Sequence, residues 1–434
     1  MTKEKGKMKF KDFPIPVIKE NVEYTVREIT SVIKKYGPRE SGSENCFAAE
    51  KHLKKELDQF CDETHFEEYD IAPRAFLHFT KTISVAIIVA VIAGLVLALT
   101  GVLSFTVSHV IVAVTAAICL FITVVEFLLY KPFCDKLYKK KKGHNLVAVR
   151  KPRGEVKRRF VISGHIDAAY EWRHLYYAKG KYPFFGITVA GSVGSALISI
   201  IIAIITVIAR FTDMGAFGEF MLNYSYYFNF VTAFFLATLY PYVNFKLIAP
   251  GANDNLTGTY GAVCALRMLD MAGIELENTE LVAMITDGEE AGLRGSKAFA
   301  KAHLDEYTGD DVETAVLCCD TLTDYDFINV YSKDMTGTVA NDKAFSDLVL
   351  DSAKEVGIEK AKLANLFFGA SDAAAFSQAG ITATCLAAMD PTPADYYHNR
   401  RDNYDRLVPN TIEACYKVII ASILNFDEKG AKKN

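Results

Sequence analysis

Charge is absent from four long stretches of this 434-residue chain, and that absence constrains it more than any other feature. The runs 82–108 and 183–209 contain no Asp, Glu, Lys or Arg. The run 110–125 is uncharged up to Glu126, and 220–245 is uncharged up to Lys246. A helix rising about 1.5 Å per residue over such a run crosses a hydrocarbon core of about 30 Å. A surface helix of a globular domain carries a polar face that these runs lack. An excess of basic charge is missing too. Lys and Arg number 48 against 52 Asp and Glu, a net −4, which argues against a nucleic-acid partner. No CxxC pair occurs, and the nine cysteines are odd in number with Cys119 inside an apolar run, so a disulfide framework is not expected. The polar, basic N-terminal segment 1–21 has no apolar core and does not read as a secretory signal.

Short linkers join the apolar runs in pairs. They predict four transmembrane helices in two hairpins, 81–130 and 184–245, inserted into a polar chain made of 1–80, 131–183 and 246–434. The last run is aromatic and holds Pro241, which makes it the weakest span. Basic residues set the expected orientation. Arg74, Lys81, Lys131, Lys136, Lys139–Lys142, Lys179, Lys181 and Lys246 flank the spans on the polar side, whereas the turn loops hold only Arg210. The expectation is an integral membrane protein with the lipid bilayer as partner and the polar domain facing the cytoplasm. The lysine run then reads as a topology signal in contact with anionic lipid.

The polar chain alternates strand and helix patterns. Helical spacing fills much of 17–61; HFEEYDI, HNLVAVRK, RRFVISGHID, TELVAMITD, TAVLCCD and ITATCLAA read as strands. GANDN turns into a helix, EEAGLRGSKAFAKAHL starts another, and 343–357 and 409–426 are amphipathic helices. This order predicts an α/β domain whose mostly parallel central sheet is flanked by helices.

Several strands end on residues with chemistry. His165 closes GHID, Glu289 and Glu290 follow AMITDG, and Asp320 closes VLCCD. Asp254 lies in the GANDN turn and His398 in YYHNRRDNYDRL, a loop beyond ITATCLAA. Singly, each has an ordinary reading as a cap, a turn or a surface group. Jointly, side chains at carboxyl ends of sheet strands converge. Two imidazoles and three carboxylates suit Zn²⁺, and a further carboxylate beside a ligand suits a general base. Cys318 and Cys319 point to opposite faces of their strand and cannot both serve one metal.

These motifs, with GPRESGSENCFAAEKHL, HNLVAV, PGANDNLTG, DGEEAGLRGSKAF and GASDAAAF, resemble the M28 family of co-catalytic zinc peptidases over nearly the whole polar domain. The resemblance implies the zinc-peptidase fold and two Zn²⁺ per chain. His165 and Asp320 would bind one zinc, Glu290 and His398 the other, and Asp254 both, with a cis peptide to Asn255. It further implies Glu289 as general base toward the attacking water, Asp167 as the partner that orients His165, and Tyr397 as a donor to the oxyanion. CCDT, the missing histidine after Ser371–Asp372 and Asn399 after His398 depart from the usual pattern without removing a ligand. A membrane-anchored aminopeptidase acting on peptides is the leading expectation. The alternatives are a carboxypeptidase, a glutaminyl-cyclase-like enzyme, or an inactive membrane scaffold.

Overall fold

The computed structural model describes residues 8–178, 182–392 and 394–431. The first seven residues of the polar N-terminal segment, and Lys179 and Lys181 of the orientation argument, lie outside the described residues. The chain divides into two compact units. One comprises Met1–Pro73, Lys139–Tyr170 and Leu247–Asn434; the other comprises Arg74–Tyr138 and Glu171–Lys246.

Eleven strands are described: β1 (Glu63–Ile71), β2 (Lys141–Arg150), β3 (Arg158–His165), β4 (Tyr170–Trp172), β5 (Val243–Ile248), β6 (Thr279–Thr286), β7 (Glu313–Leu322), β8 (Ile328–Asp334), β9 (Val339–Ala340), β10 (Leu363–Asn365) and β11 (Ala383–Ala388). Nine form the sheet of the first unit, in the order β1-β2-β6-β3-β7-β11-β8-β10 with β9 on β8. Its centre, β6-β3-β7-β11, is parallel throughout. Antiparallel pairs flank it, β1 with β2, β2 with β6 and β11 with β8, so the sheet is mixed outside a parallel core.

The central strands are apolar on both faces because both are covered. Phe160 and Ile162 of β3 face one hydrophobic cluster, shared with Ile18, Ile29, Leu266 and Ile419. Val161 between them faces the other, with Val282, Phe299 and Phe376. The helix Ile15–Tyr36 joins the first cluster through Ile18, Val22, Ile29 and Val32, which recur every third or fourth residue along one stripe. The helix Thr257–Met271 lies directly on the strand ends. A Cβ on Gly164 would stand 2.4 Å from the carbonyl carbon of Gly258, and one on Gly258 would stand 2.1 Å from the Cys319 oxygen. Those two glycines let the chain after GANDN approach β3 and β7 where both strands finish.

In the second unit three helices are long and apolar enough to cross a membrane: Ala75–Leu99, Phe105–Leu128 and Gly186–Phe211. Ile83, Ile87, Val91, Val112, Ala116 and Ala196 pack inward, whereas Val89, Ile92, Ile118, Leu197, Ile201 and Ile204 are exposed. The exposed side chains named are apolar, a surface more typical of contact with lipid or protein than with water.

The fourth expected span is not among those three helices. Residues 220–245 fall in the helix Gly215–Tyr224, a 3₁₀ turn Ser225–Phe228, the helix Asn229–Ala237, turns holding Pro241, and β5. Polar side chains account for the break. Thr206 donates to the Ser225 hydroxyl at 2.9 Å, Tyr226 to the Val91 carbonyl at 2.6 Å and Ser199 to the Asn229 amide oxygen at 2.6 Å. These bonds draw Ser225, Tyr226 and Asn229 inward, where they are buried, and a single continuous helix gives way at that point.

Candidate metal centre

His165 is the last residue of β3, and Asp320 lies in the last turn of the pleat in β7. Glu289 and Glu290 occupy a turn after β6; the next helix begins only at Arg294, so the pair precedes that helix rather than starting it. Asp254 sits in a tight turn, Ala252–Leu256, and its peptide bond to Asn255 is cis. His398, in the loop after β11, has φ of 49°, a left-handed conformation uncommon for a residue with a Cβ.

These elements bring five of the expected side chains into one buried cluster. His165 Nε2 lies 3.3 Å from Asp254 Oδ1 and 3.9 Å from Glu289 Oε2. His398 Nε2 lies 3.2 Å from Asp254 Oδ2 and 3.4 Å from Glu290 Oε1. Asp254 therefore stands between the two imidazoles, one oxygen toward each. Ligand atoms of His165, Asp254 and Glu290 all fall within 4.8 Å of one another. Asp320 is half-buried and accepts from the Thr321 hydroxyl at 2.9 Å; its carboxyl feels the charges of Asp254 and His165. Tyr397 stacks on His398, ring centroids 3.8 Å apart.

The electrostatics call for a cation. His165 Nδ1 faces the Asp167 backbone carbonyl at 3.1 Å. If that nitrogen carries the proton, a neutral ring turns the lone pair of Nε2 toward Asp254. Asp254 Oδ2 and Glu290 Oε1 are buried without a hydrogen-bond partner. Burial, then the charges of Asp254 and Glu289, push Glu290 well above the usual carboxylate range. Burial raises Glu289 as well, Asp372, Asp320 and Asp167 adding to it against the pull of His165. Burial and Asp254 lift Asp320 to about 7. Unpaired acceptors, imidazole nitrogens aimed at them and carboxylates crowded out of water fit a nitrogen/oxygen metal shell, and zinc matches that donor set.

Asp167 lies beside His165 and has further partners. Its carboxylate is 3.5 Å from His165 Nδ1, but it accepts the backbone N–H of Glu289 at 3.2 Å, that of Glu290 at 3.1 Å and the Ser41 hydroxyl at 2.6 Å. It holds the turn that carries both glutamates. Three further positioning residues escaped sequence reasoning. Asp402 accepts from the backbone N–H of Asn253 at 2.9 Å and of Asp254 at 3.0 Å, and from the Asn253 side chain at 2.8 Å. Burial, then Asp254, pushes Asp402 up to about 7 against those donors. The fully buried Arg39 donates to the Ile166 carbonyl at 2.9 Å and the Gly251 carbonyl at 3.0 Å, tying the His165 segment to the Asp254 turn. Asn255 accepts from Gly258 at 2.9 Å and Thr321 at 3.1 Å and donates to the Cys319 carbonyl at 2.8 Å, which fixes the Asp254 turn against β7. Asp402 lies four residues beyond His398 in the same motif, a spacing that offered the one available signal.

Residues 238–423 match the family model described as Peptidase family M28. That match places the chain in the class of zinc-dependent peptidases. No curated protein sequence matches the chain. Solved structures share the fold. A zinc aminopeptidase from Bacillus subtilis is 12% identical, with TM-score 0.52, over 93% of this chain and 94% of its own. A Zn-dependent exopeptidase from Parabacteroides distasonis is 12% identical, with TM-score 0.51, over 95% and 98%. An Acidobacteriales bacterium glutaminyl cyclase is also 12% identical, with TM-score 0.53, over 98% of each chain.

Proposed function

We propose that this protein is a membrane-anchored metallopeptidase that removes N-terminal residues from peptides and holds two zinc ions. The observation that carries the reading is the placement of Asp254 between His165 and His398, with Glu290 against His398 and Glu289 beside His165. In this reading His165 and Asp320 hold one ion, Glu290 and His398 the other, and Asp254 serves both. When bound, the ions supply Lewis-acid polarisation of the scissile carbonyl and acidify the attacking water.

The chain's own residues do the rest. Glu289 takes the proton from the attacking water and returns it to the leaving amine. Asp167 keeps Glu289 aimed through its backbone N–H, and Asp402 and Arg39 hold the Asp254 turn. Tyr397 keeps His398 in place by stacking, and in this reading also donates to the oxyanion. The three long apolar helices support the anchor, and the lysines that flank them support a cytoplasmic peptidase domain.

Several structures that share this fold are named glutaminyl cyclases, so cyclisation of an N-terminal glutamine is the second reading. Substrates separate the two. Aminoacyl-amides and peptides with a free N-terminus should be hydrolysed by the zinc-loaded protein in detergent, and N-acetylated copies should not. Pyroglutamate formation from Gln-peptides without hydrolysis of the others would favour the cyclase.

A further inference from the structure

A second buried cluster lies just upstream of the glutamate turn. The helix Glu44–Leu57, capped by Ser43 accepting from Cys46 N at 3.1 Å, carries Cys46 and Glu50 one turn apart on its buried face. Asp287 follows β6 and precedes Glu289 by two residues. Cys46 Sγ is 3.6 Å from Asp287 Oδ1, and one donor atom from each of Cys46, Glu50 and Asp287 falls within 4.8 Å of the other two. All three side chains are buried.

A second, independent observation points to a ligand. Both oxygens of Glu50 are buried with no hydrogen-bond partner, although one of them reaches the other two donors. Leaving a fully buried carboxyl group in that state is unfavourable. A thiol hydrogen bond from Cys46 to Asp287 alone would leave Glu50 unsatisfied. A metal would satisfy all three groups. With metal–sulfur and metal–oxygen distances of about 2.3 and 2.0 Å, tetrahedral ligands stand roughly 3.5 Å apart, close to the Cys46–Asp287 separation. Burial, then mutual repulsion with Asp287, pushes the Cys46 thiol and the Glu50 carboxyl up, so the set is short of positive charge.

We propose that Cys46, Glu50 and Asp287 form a further metal site, structural in role, for a divalent transition ion of the zinc class. It would pin the helix Glu44–Leu57 to the chain entering the Glu289–Glu290 turn. Asp287 is already fixed there by the Gly42 N–H, at 2.9 Å from one oxygen and 3.2 Å from the other. Sulfur sets this site apart from the His165–Asp254–His398 centre, whose donors are nitrogen and oxygen only.

Cobalt reports the difference. The full chain in detergent, stripped of metal and loaded with Co²⁺, should show a sulfur-to-cobalt charge-transfer absorption in the near ultraviolet. Cys46→Ser should abolish that band and lower bound cobalt by one equivalent, and Glu50→Gln should weaken cobalt retention against a chelator at least about tenfold. Asp254→Ala should leave the band in place, so failure of the peptidase centre and failure of this site give different spectra. Cobalt-loaded wild type without a Cys46-dependent band would overturn the proposal. If Cys46→Ser does not fold, an unchanged band and cobalt content in Glu50→Gln overturn it equally.

Discussion

Glu289→Gln should lower kcat by about 10²–10⁴-fold, the usual contribution of a positioned general base, and leave zinc content at the wild-type level. The substitution keeps the shape of the side chain and removes only its capacity to take a proton. The backbone N–H of Glu289 still donates to Asp167, so the turn keeps its place. In the proposed assignment Glu289 is a proton acceptor and not a ligand, which is why its loss should spare the metal. Zinc content by elemental analysis and single-turnover rates check both halves. A variant that loses zinc along with activity would make Glu289 a ligand instead of a base.

Asp254→Ala should do the opposite and remove the metal itself. Asp254 turns one oxygen toward each imidazole, so neither half of the proposed centre is complete without it. The loss in zinc affinity should exceed the roughly 10–100-fold that follows removal of a partner outside the ligand shell. Against burial, the His165 and His398 imidazoles hold Asp254 below the usual carboxylate range, so removing it should also lower the stability of the metal-free protein. Thermal unfolding in detergent separates these effects. Zinc at a hundredfold excess over its dissociation constant stabilises a folded protein by about 2.7 kcal/mol. Wild type should show that rise in Tm. Asp254→Ala should lose the part that belongs to this centre and unfold at a lower temperature than wild type when both are metal-free. An undiminished zinc-induced shift in the variant would place the ions elsewhere.

Much of this arrangement was legible before any fold was known, for physical reasons. The central strands β3, β6, β7 and β11 announce themselves because strands covered on both faces must be apolar almost throughout. The side chains that converge were visible because each sits at a strand end or in a short turn motif. β8, INVYSKD, and β10, only three residues long, gave too weak a pattern to read. The fourth apolar run reads as one continuous helix because hydropathy weighs only the apolar character of each residue. It does not register that Ser225, Tyr226 and Asn229 would turn inward to hydrogen-bond and interrupt the helix. Arg39, Ser41 and Asp402 stayed hidden for another reason. Arg39 and Asp402 act on backbone groups far away in sequence and Ser41 on the distant Asp167 carboxylate, and only the topology shows which partner each will meet. Asp167 was noticed for its nearness to His165, while its shortest contacts from the glutamate turn are backbone N–H groups 122 and 123 residues away.

Removing metal with a chelator and returning zinc, while following release of the N-terminal residue from an unblocked peptide, tests the metallopeptidase reading most directly. Hydrolysis should disappear with the metal and return with zinc in wild type, and should not return in Asp254→Ala. Hydrolysis that survives complete metal removal, or zinc-loaded protein that cleaves no unblocked peptide, would contradict it.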